Sequence, residues 1–354
     1  MALAPLSMSP KEAVLESVLP SLYLSTAQVK VTDLNPHEDR QLQQNSNYRW
    51  LDKNGYSDKA SRLLDCGTKF AHFRDKNGHD KLSKTFCKYE FCPICGMKGS
   101  RTHRTRNTRA HPRLMWAPVL GYMVFTLPLD LSRSRMPREI LNRLEKESYD
   151  IVQRNFKTEG AMARIHLAGD RPGHLRIHVN ILFPITGTNG IGRVDPLILA
   201  SVQQAWTVFI NKFFCLSLDV TDVKYSFATT MKKKYAKIKY VLRPIIDAFM
   251  FMTLSDEDKH YIVGLAGWHN TRWFGKLANH KYKAFLLSKG LDPLAYEKKD
   301  PYLSNVCPVC GAKFKHVGTV WRRDINKDAW RWIDDHTLMD RLSYIKLQEM
   351  KAQK

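Results

Sequence analysis

The sequence predicts an α+β chain: an antiparallel sheet flanked by helices, with a zinc-binding N-terminal segment before it and a C-terminal module after it. Three observations carry this prediction. From Leu175 to Phe183 every second residue is apolar (Leu175, Ile177, Val179, Ile181, Phe183), the period of a strand with one face in a core. Pro137–Phe156 and Pro196–Phe214 instead repeat apolar residues at helical spacing, through Ile140, Leu144 and Ile151 in the first and Leu199, Val202, Trp206 and Ile210 in the second. Four cysteines, Cys66, Cys87, Cys92 and Cys95, match the ligand count of a closed structural Zn2+ site, with Cys92-Pro93-Ile94-Cys95-Gly96 as its tight knuckle.

A chain of 354 residues accommodates several modules. The composition shifts divide it into an N-terminal arm (1–59), a cysteine segment (60–114), a sheet domain (115–250) and a C-terminal module (251–354). The 56 Lys and Arg exceed the 34 Asp and Glu by 22 charges, an excess that calls for a polyanionic partner, nucleic acid first. A membrane surface fits poorly, because no stretch reaches the 18 or so apolar residues of a span. Met1–Ser17 has no apolar core of a signal peptide, so a cytoplasmic chain is expected. In that reducing setting short cysteine pairs indicate metal rather than disulfides.

Taken in order, residues 1–45 show no strong period, apart from a helix expected near Pro10–Leu19. Between Lys69 and Arg113 twelve Lys and Arg face three acids, and Lys98–Arg109 holds no acid at all. Arg101, Arg104, Arg106 and Arg109 are therefore candidates to lie along a phosphate backbone. Ala161–Ala168 and Leu175–Phe183 read as neighbours joined by the turn-forming Gly169–Gly173. The outward face of the second carries Arg176, His178 and Asn180, and an imidazole two residues from a carboxamide can hold a divalent cation or a phosphate.

Leu216–Tyr225 returns to strand character, and Cys215 in its apolar run reads as a core thiol. Met231–Arg243 follows, ended by Pro244. If it is helical, Lys237, Tyr240 and Arg243 share a face while Tyr235 lies about 140° away, and Lys232, Lys233 and Lys234 add to the DNA-facing charge. Beyond it, Trp268–Gly275 mixes aromatic and basic residues suited either to stacking on unpaired nucleotides or to a domain seam. Cys307-Pro308-Val309-Cys310-Gly311 repeats the knuckle, and zinc there needs two more ligands, with His316, His269 and His280 as candidates. Asp328–Lys351 closes the chain as a charged helix.

Arg62–Gly67 and Phe86–Cys95 resemble the N-terminal zinc segment of rolling-circle plasmid replication initiators, members of the HUH endonuclease superfamily. The resemblance covers about residues 60–250 and extends to three further motifs: Gly121–Pro128, Arg176–Leu182, and Lys237–Arg243. It implies an HUH-type, RRM-like palm and an enzyme that nicks single-stranded or extruded origin DNA. Tyr240 would be the nucleophile, with Lys237 and Arg243 assisting, and Tyr235 a second nucleophile for termination. His178 and Asn180 would hold Mg2+ or Mn2+, and Zn2+ would be structural. The chain departs from the commoner His-hydrophobic-His pair, carrying His178-Val179-Asn180, and a third ligand falls to Asp170, Asp222 or His174. A single-strand transposase shares this chemistry, and a non-catalytic zinc protein that binds DNA is the reading of another class. A host helicase and polymerase are the further partners such an initiator would recruit, with the C-terminal module as the candidate docking segment.

Overall fold

The computed structural model describes residues 36–96, 101–169, 173–185, 192–278, 281–293, 306–307 and 310–321. The expected helices at Pro10–Leu19 and Asp328–Lys351, most of the Gly169–Gly173 turn, and His280 lie outside them. Two compact units are divided at Asn47/Tyr48, Lys88/Tyr89 and Glu297/Lys298.

The elements, in chain order, are α1 (Pro36–Lys53), α2 (Ser57–Leu64), β1 (Lys69–Arg74), β2 (Asp80–Lys84), α3 (Arg101–Leu114), β3 (Val119–Thr126), α4 (Leu129–Arg133), α5 (Arg138–Phe156), β4 (Gly160–Ala168), β5 (Leu175–Ile185) and α6 (Pro196–Phe214). There follow β6 (Val223–Ala228), α7 (Met231–Val241), α8 (Ala248–Thr253), α9 (Asp256–Gly264), β7 (Thr271–Gly275), α10 (Tyr282–Ser288) and β8 (Lys315–Trp321).

The larger unit is built on a five-stranded antiparallel sheet in the order β6-β3-β5-β4-β7. The expectation of an α+β chain with helices on an antiparallel sheet therefore holds. The period-2 pattern sends alternate β5 residues to opposite sides. Val179, Ile181 and Phe183 enter a core covered by α5 and α6, where Phe156 packs on Phe183 and Trp206 on Phe125. The other face meets α7 and α3, through Leu120, Met162 and Leu182 against Ile238, Val241 and Leu114.

Helix α6 starts where Asp195 caps it, its carboxylate accepting from the Leu197 amide, with Pro196 at the first helical position. Fully buried Trp206 donates its indole N–H to the Thr126 carbonyl at the end of β3. Trp206→Phe removes that bond and part of a fully buried ring, so a loss of about 1–3 kcal/mol is expected, read as a lower urea midpoint with unchanged slope.

Three sequence expectations are corrected here. Cys215 is exposed, in the left-handed conformation that ends α6 (φ +54°), so it is no core thiol. Strand character begins at Val223, because residues 216–222 are pinned to α6 by the Asn211 amide on Leu218 and by Thr207 on Thr221. No boundary falls at 250, because β7 completes the sheet by pairing with β4. The Trp268–Gly275 aromatics are likewise built into this unit: Phe274 stacks on Tyr149 and Trp268 donates to Asn142.

In the smaller unit β1 lies between β2 and β8 in a three-stranded antiparallel sheet. Residues 315–321 thus pair with a strand more than two hundred positions earlier. Among the described residues, no helix is long and apolar enough to cross a membrane.

Candidate functional site

The sheet register sets the site. His178 on β5 stands opposite His166 on β4, and their rings meet edge to face with centroids 5.2 Å apart. Each imidazole has one nitrogen on a backbone carbonyl: His166 Nε2 on Val241 at 2.9 Å and His178 Nδ1 on Arg176 at 2.9 Å. A carbonyl can only accept, so both nitrogens carry hydrogen, and His166 Nδ1 and His178 Nε2 carry the basic lone pairs. His166 Nδ1 is buried with no hydrogen-bond partner. Burial, then the nearby His178, push its pKa well down, so it is held neutral.

The C-terminal end of α7 is tied down by buried side chains. His103 donates to the Lys239 carbonyl at 3.0 Å, His166 to Val241, and Arg164 to Arg243 at 2.9 and 3.2 Å. The Lys239 and Val241 carbonyls are among those a helix end leaves without partners, where positive or N–H groups are favourable, and the Arg243 carbonyl follows just past the cap. Arg164, fully buried, also donates to Asn270 and Thr271 and pairs with Glu90 at 3.1 Å. Glu90 in turn pairs with Arg106 and accepts from the Ile245 amide at 2.7 Å.

That scaffold presents Tyr240. Its ring is 42% exposed, with the Arg243 guanidinium 4.5 Å from its centroid, His166 at 6.2 Å and Tyr122 at 6.3 Å. Tyr240, Arg243, His178, Arg176, Asp222 and Lys224 line one open cleft of about 630 Å3. Tyr235 is elsewhere, its ring against His111 on α3 at 5.0 Å, as its helical angle requires.

Several expected roles change. Asn180 is fully buried, its oxygen accepting the Tyr122 hydroxyl at 2.7 Å and its amide reaching the Arg164 carbonyl, so it orients Tyr122. Lys237 lies over the Tyr122 ring and donates to Ser226 at 2.6 Å, supporting Tyr122 rather than Tyr240. Lys234 is buried, its ammonium on the Met115 and Ala117 carbonyls just beyond α3, so it is no DNA contact. Arg106 is likewise taken by Glu90. Arg109, Lys232 and Lys233 remain exposed, and the side chains of Arg101 and Arg104 lie outside the described set. Of the third-ligand candidates Asp222 lines the cleft, His174 is exposed, and Asp170 is outside the described residues.

His166 was missed by sequence reasoning. Its signal was legible in Arg164-Ile165-His166, a polar-apolar-polar alternation in a strand already expected to neighbour the His178 strand.

The sulfurs of Cys66, Cys87, Cys92 and Cys95 all lie within 4.8 Å of one another, and all four residues are buried. The Ile94 and Cys95 amides point at Cys92 Sγ at 3.4 Å, and the Gly96 amide closes the turn on the Cys92 carbonyl. A side chain at Gly96 would collide with the Glu90 carbonyl at 1.7 Å. This cluster can hold a metal such as zinc. His269 is exposed, and His316 packs edge-on against Phe73; neither joins Cys307 and Cys310, which Asp75 and His79 approach instead.

No protein-family model, curated protein or solved structure matches the chain.

Proposed function

We propose that this chain is a DNA nicking and closing endonuclease with Tyr240 as its nucleophile, acting in the initiation of rolling-circle replication on an HUH-like palm. The observation that carries the reading is one exposed tyrosine, held at a tied-down helix end between the Arg243 guanidinium and His166, in an open cleft that His178 also lines. The motif order noted in the sequence supports the same chemistry.

The Tyr240 oxygen attacks phosphorus, the P–O3′ bond breaks, and the phenol proton passes to the departing 3′ oxygen. The 5′ phosphate stays on tyrosine, and the free 3′ hydroxyl primes synthesis. Arg243 offsets charge on the equatorial phosphate oxygens. His178 lines the cleft beside the buried His166, and the ring nitrogen it does not commit to the Arg176 carbonyl would be a donor for Mn2+ or Mg2+. Such a cation would polarise the scissile phosphate. Lys224, Arg176, Lys232 and Lys233 supply exposed charge for the flanking backbone. The test is formation of a covalent, SDS-stable adduct on single-stranded DNA with Mn2+, comparing the chain with its Tyr240→Phe and Tyr235→Phe variants.

A further inference from the structure

We propose a second zinc centre, independent of the four-cysteine cluster, formed by Asp75, His79, Cys307 and Cys310 within the smaller unit. Their four donor atoms lie within 4.8 Å of one another. His79 Nδ1 is 2.9 Å from Asp75 Oδ2, 3.4 Å from Cys310 Sγ and 3.7 Å from Cys307 Sγ, and Cys310 Sγ is 2.9 Å from Asp75 Oδ2. In a tetrahedral zinc site with ordinary bond lengths, neighbouring ligand atoms are roughly 3.3–3.8 Å apart. The thiol–imidazole separations fall in that range, and the carboxylate oxygen sits slightly inside it.

The chemistry of the convergence argues for a cation. One ring nitrogen cannot donate its single hydrogen to a carboxylate and two sulfurs at once, whereas a central Zn2+ satisfies all four donors together. Both halves are also pre-shaped. Asp75 is buried, and its other oxygen accepts the Asn77 and His79 amides at 2.8 and 2.9 Å, which curls the β1–β2 turn so that the Asp75 and His79 side chains converge. On the other side the Gly311 amide bonds to the Cys307 carbonyl with Gly311 at φ +71°, and the Cys307 amide bonds to Ala312. That is the knuckle turn that brings the two thiols of a Cys-x-x-Cys to one point.

The need for such a link is physical. Among the described residues, Cys307 and Phe314 form a small hydrophobic cluster with Phe73 against it, a modest apolar patch that a metal link beside it would reinforce. The ligand pairs are separated by more than two hundred residues, so a metal clip closes a long loop and removes much of the freedom of the unfolded chain. The centre is structural, with every position taken by protein.

The experiment is zinc content by mass spectrometry on the purified full chain, with Co2+ substitution as a second readout. Two zinc per chain are expected, falling to one in Cys307→Ser/Cys310→Ser and to one in Cys92→Ser/Cys95→Ser. The Co2+ form of the latter should keep a tetrahedral visible spectrum with thiolate charge transfer, and His79→Ala should weaken it while His79→Cys restores it. Should the double-serine knuckle variant fail to fold, the His79 pair decides the matter. One zinc per chain, lost only with Cys92 and Cys95, or a colourless Co2+ form of the Cys92→Ser/Cys95→Ser chain, overturns the proposal.

Discussion

Replacing Tyr240 with phenylalanine is expected to lower adduct formation by at least about 1,000-fold, because the proposed chemistry places the phosphoryl group on the phenol oxygen. The substitution leaves the fold intact: the ring is 42% exposed, and phenylalanine keeps the contacts to Arg243, His166 and Tyr122. Tyr235→Phe should form adduct as the unaltered chain does, since its ring lies on His111. The measurement is a radiolabelled or fluorescent single strand incubated with Mn2+, denatured in SDS and resolved on a gel. An adduct that survives Tyr240→Phe and vanishes in Tyr235→Phe would sink the assignment of the nucleophile. Retarded but unmodified DNA at every substrate tried would favour a zinc protein that binds without turnover.

Glu90→Ala is expected to destabilise the larger unit by about 3–5 kcal/mol, the cost of leaving a buried partner charge uncompensated. Arg164 has no exposed surface, and Glu90 is its carboxylate, shared with Arg106 and the Ile245 amide. Urea unfolding of the two proteins at neutral pH gives the difference, and a loss below about 1 kcal/mol would contradict the role assigned to this network. Acid should reproduce part of it. Burial raises the Glu90 pKa, but Arg164 and then Arg106 outweigh burial and hold it below its ordinary 4.5. A carboxylate depressed in the folded state contributes fully above its unfolded pKa and loses that contribution as pH falls through the native value. The alanine variant should therefore lack this part of the acid sensitivity. Because Arg164 also holds the Arg243 carbonyl, its adduct formation should fall even where it remains folded.

How much of this was legible can be argued from particular residues. Helix α6 was readable to its ends, because Asp195 and Pro196 are local start signals and its apolar residues recur every turn. Strand β5 and its polar face were readable because alternation is a property of neighbouring residues. The Cys92–Gly96 knuckle was readable because its geometry is spent within five residues. Arg106 and Lys234 were misread for the opposite reason: each looks like surface charge in its own run, and each is neutralised or capped by a group outside that run, 16 positions away for Arg106 and 119 for Lys234. Asn180 was assigned to a cation because nothing local announces Tyr122, 58 positions earlier.

The amino-acid order by itself determined strands β4 and β5, helices α5, α6 and α7, the knuckle composition of the cysteine pairs and the placing of Tyr240 beside Arg243, since these follow from backbone period and steric preference over a few residues. Tertiary structure alone decided that His166 faces His178, that Arg164 and Glu90 fasten the helix end under Tyr240, and that Asp75 and His79 meet Cys307 and Cys310. Those pairings depend on sheet order and register, which are set by the burial of whole faces and the satisfaction of every buried polar group, and so are carried by no single stretch of sequence.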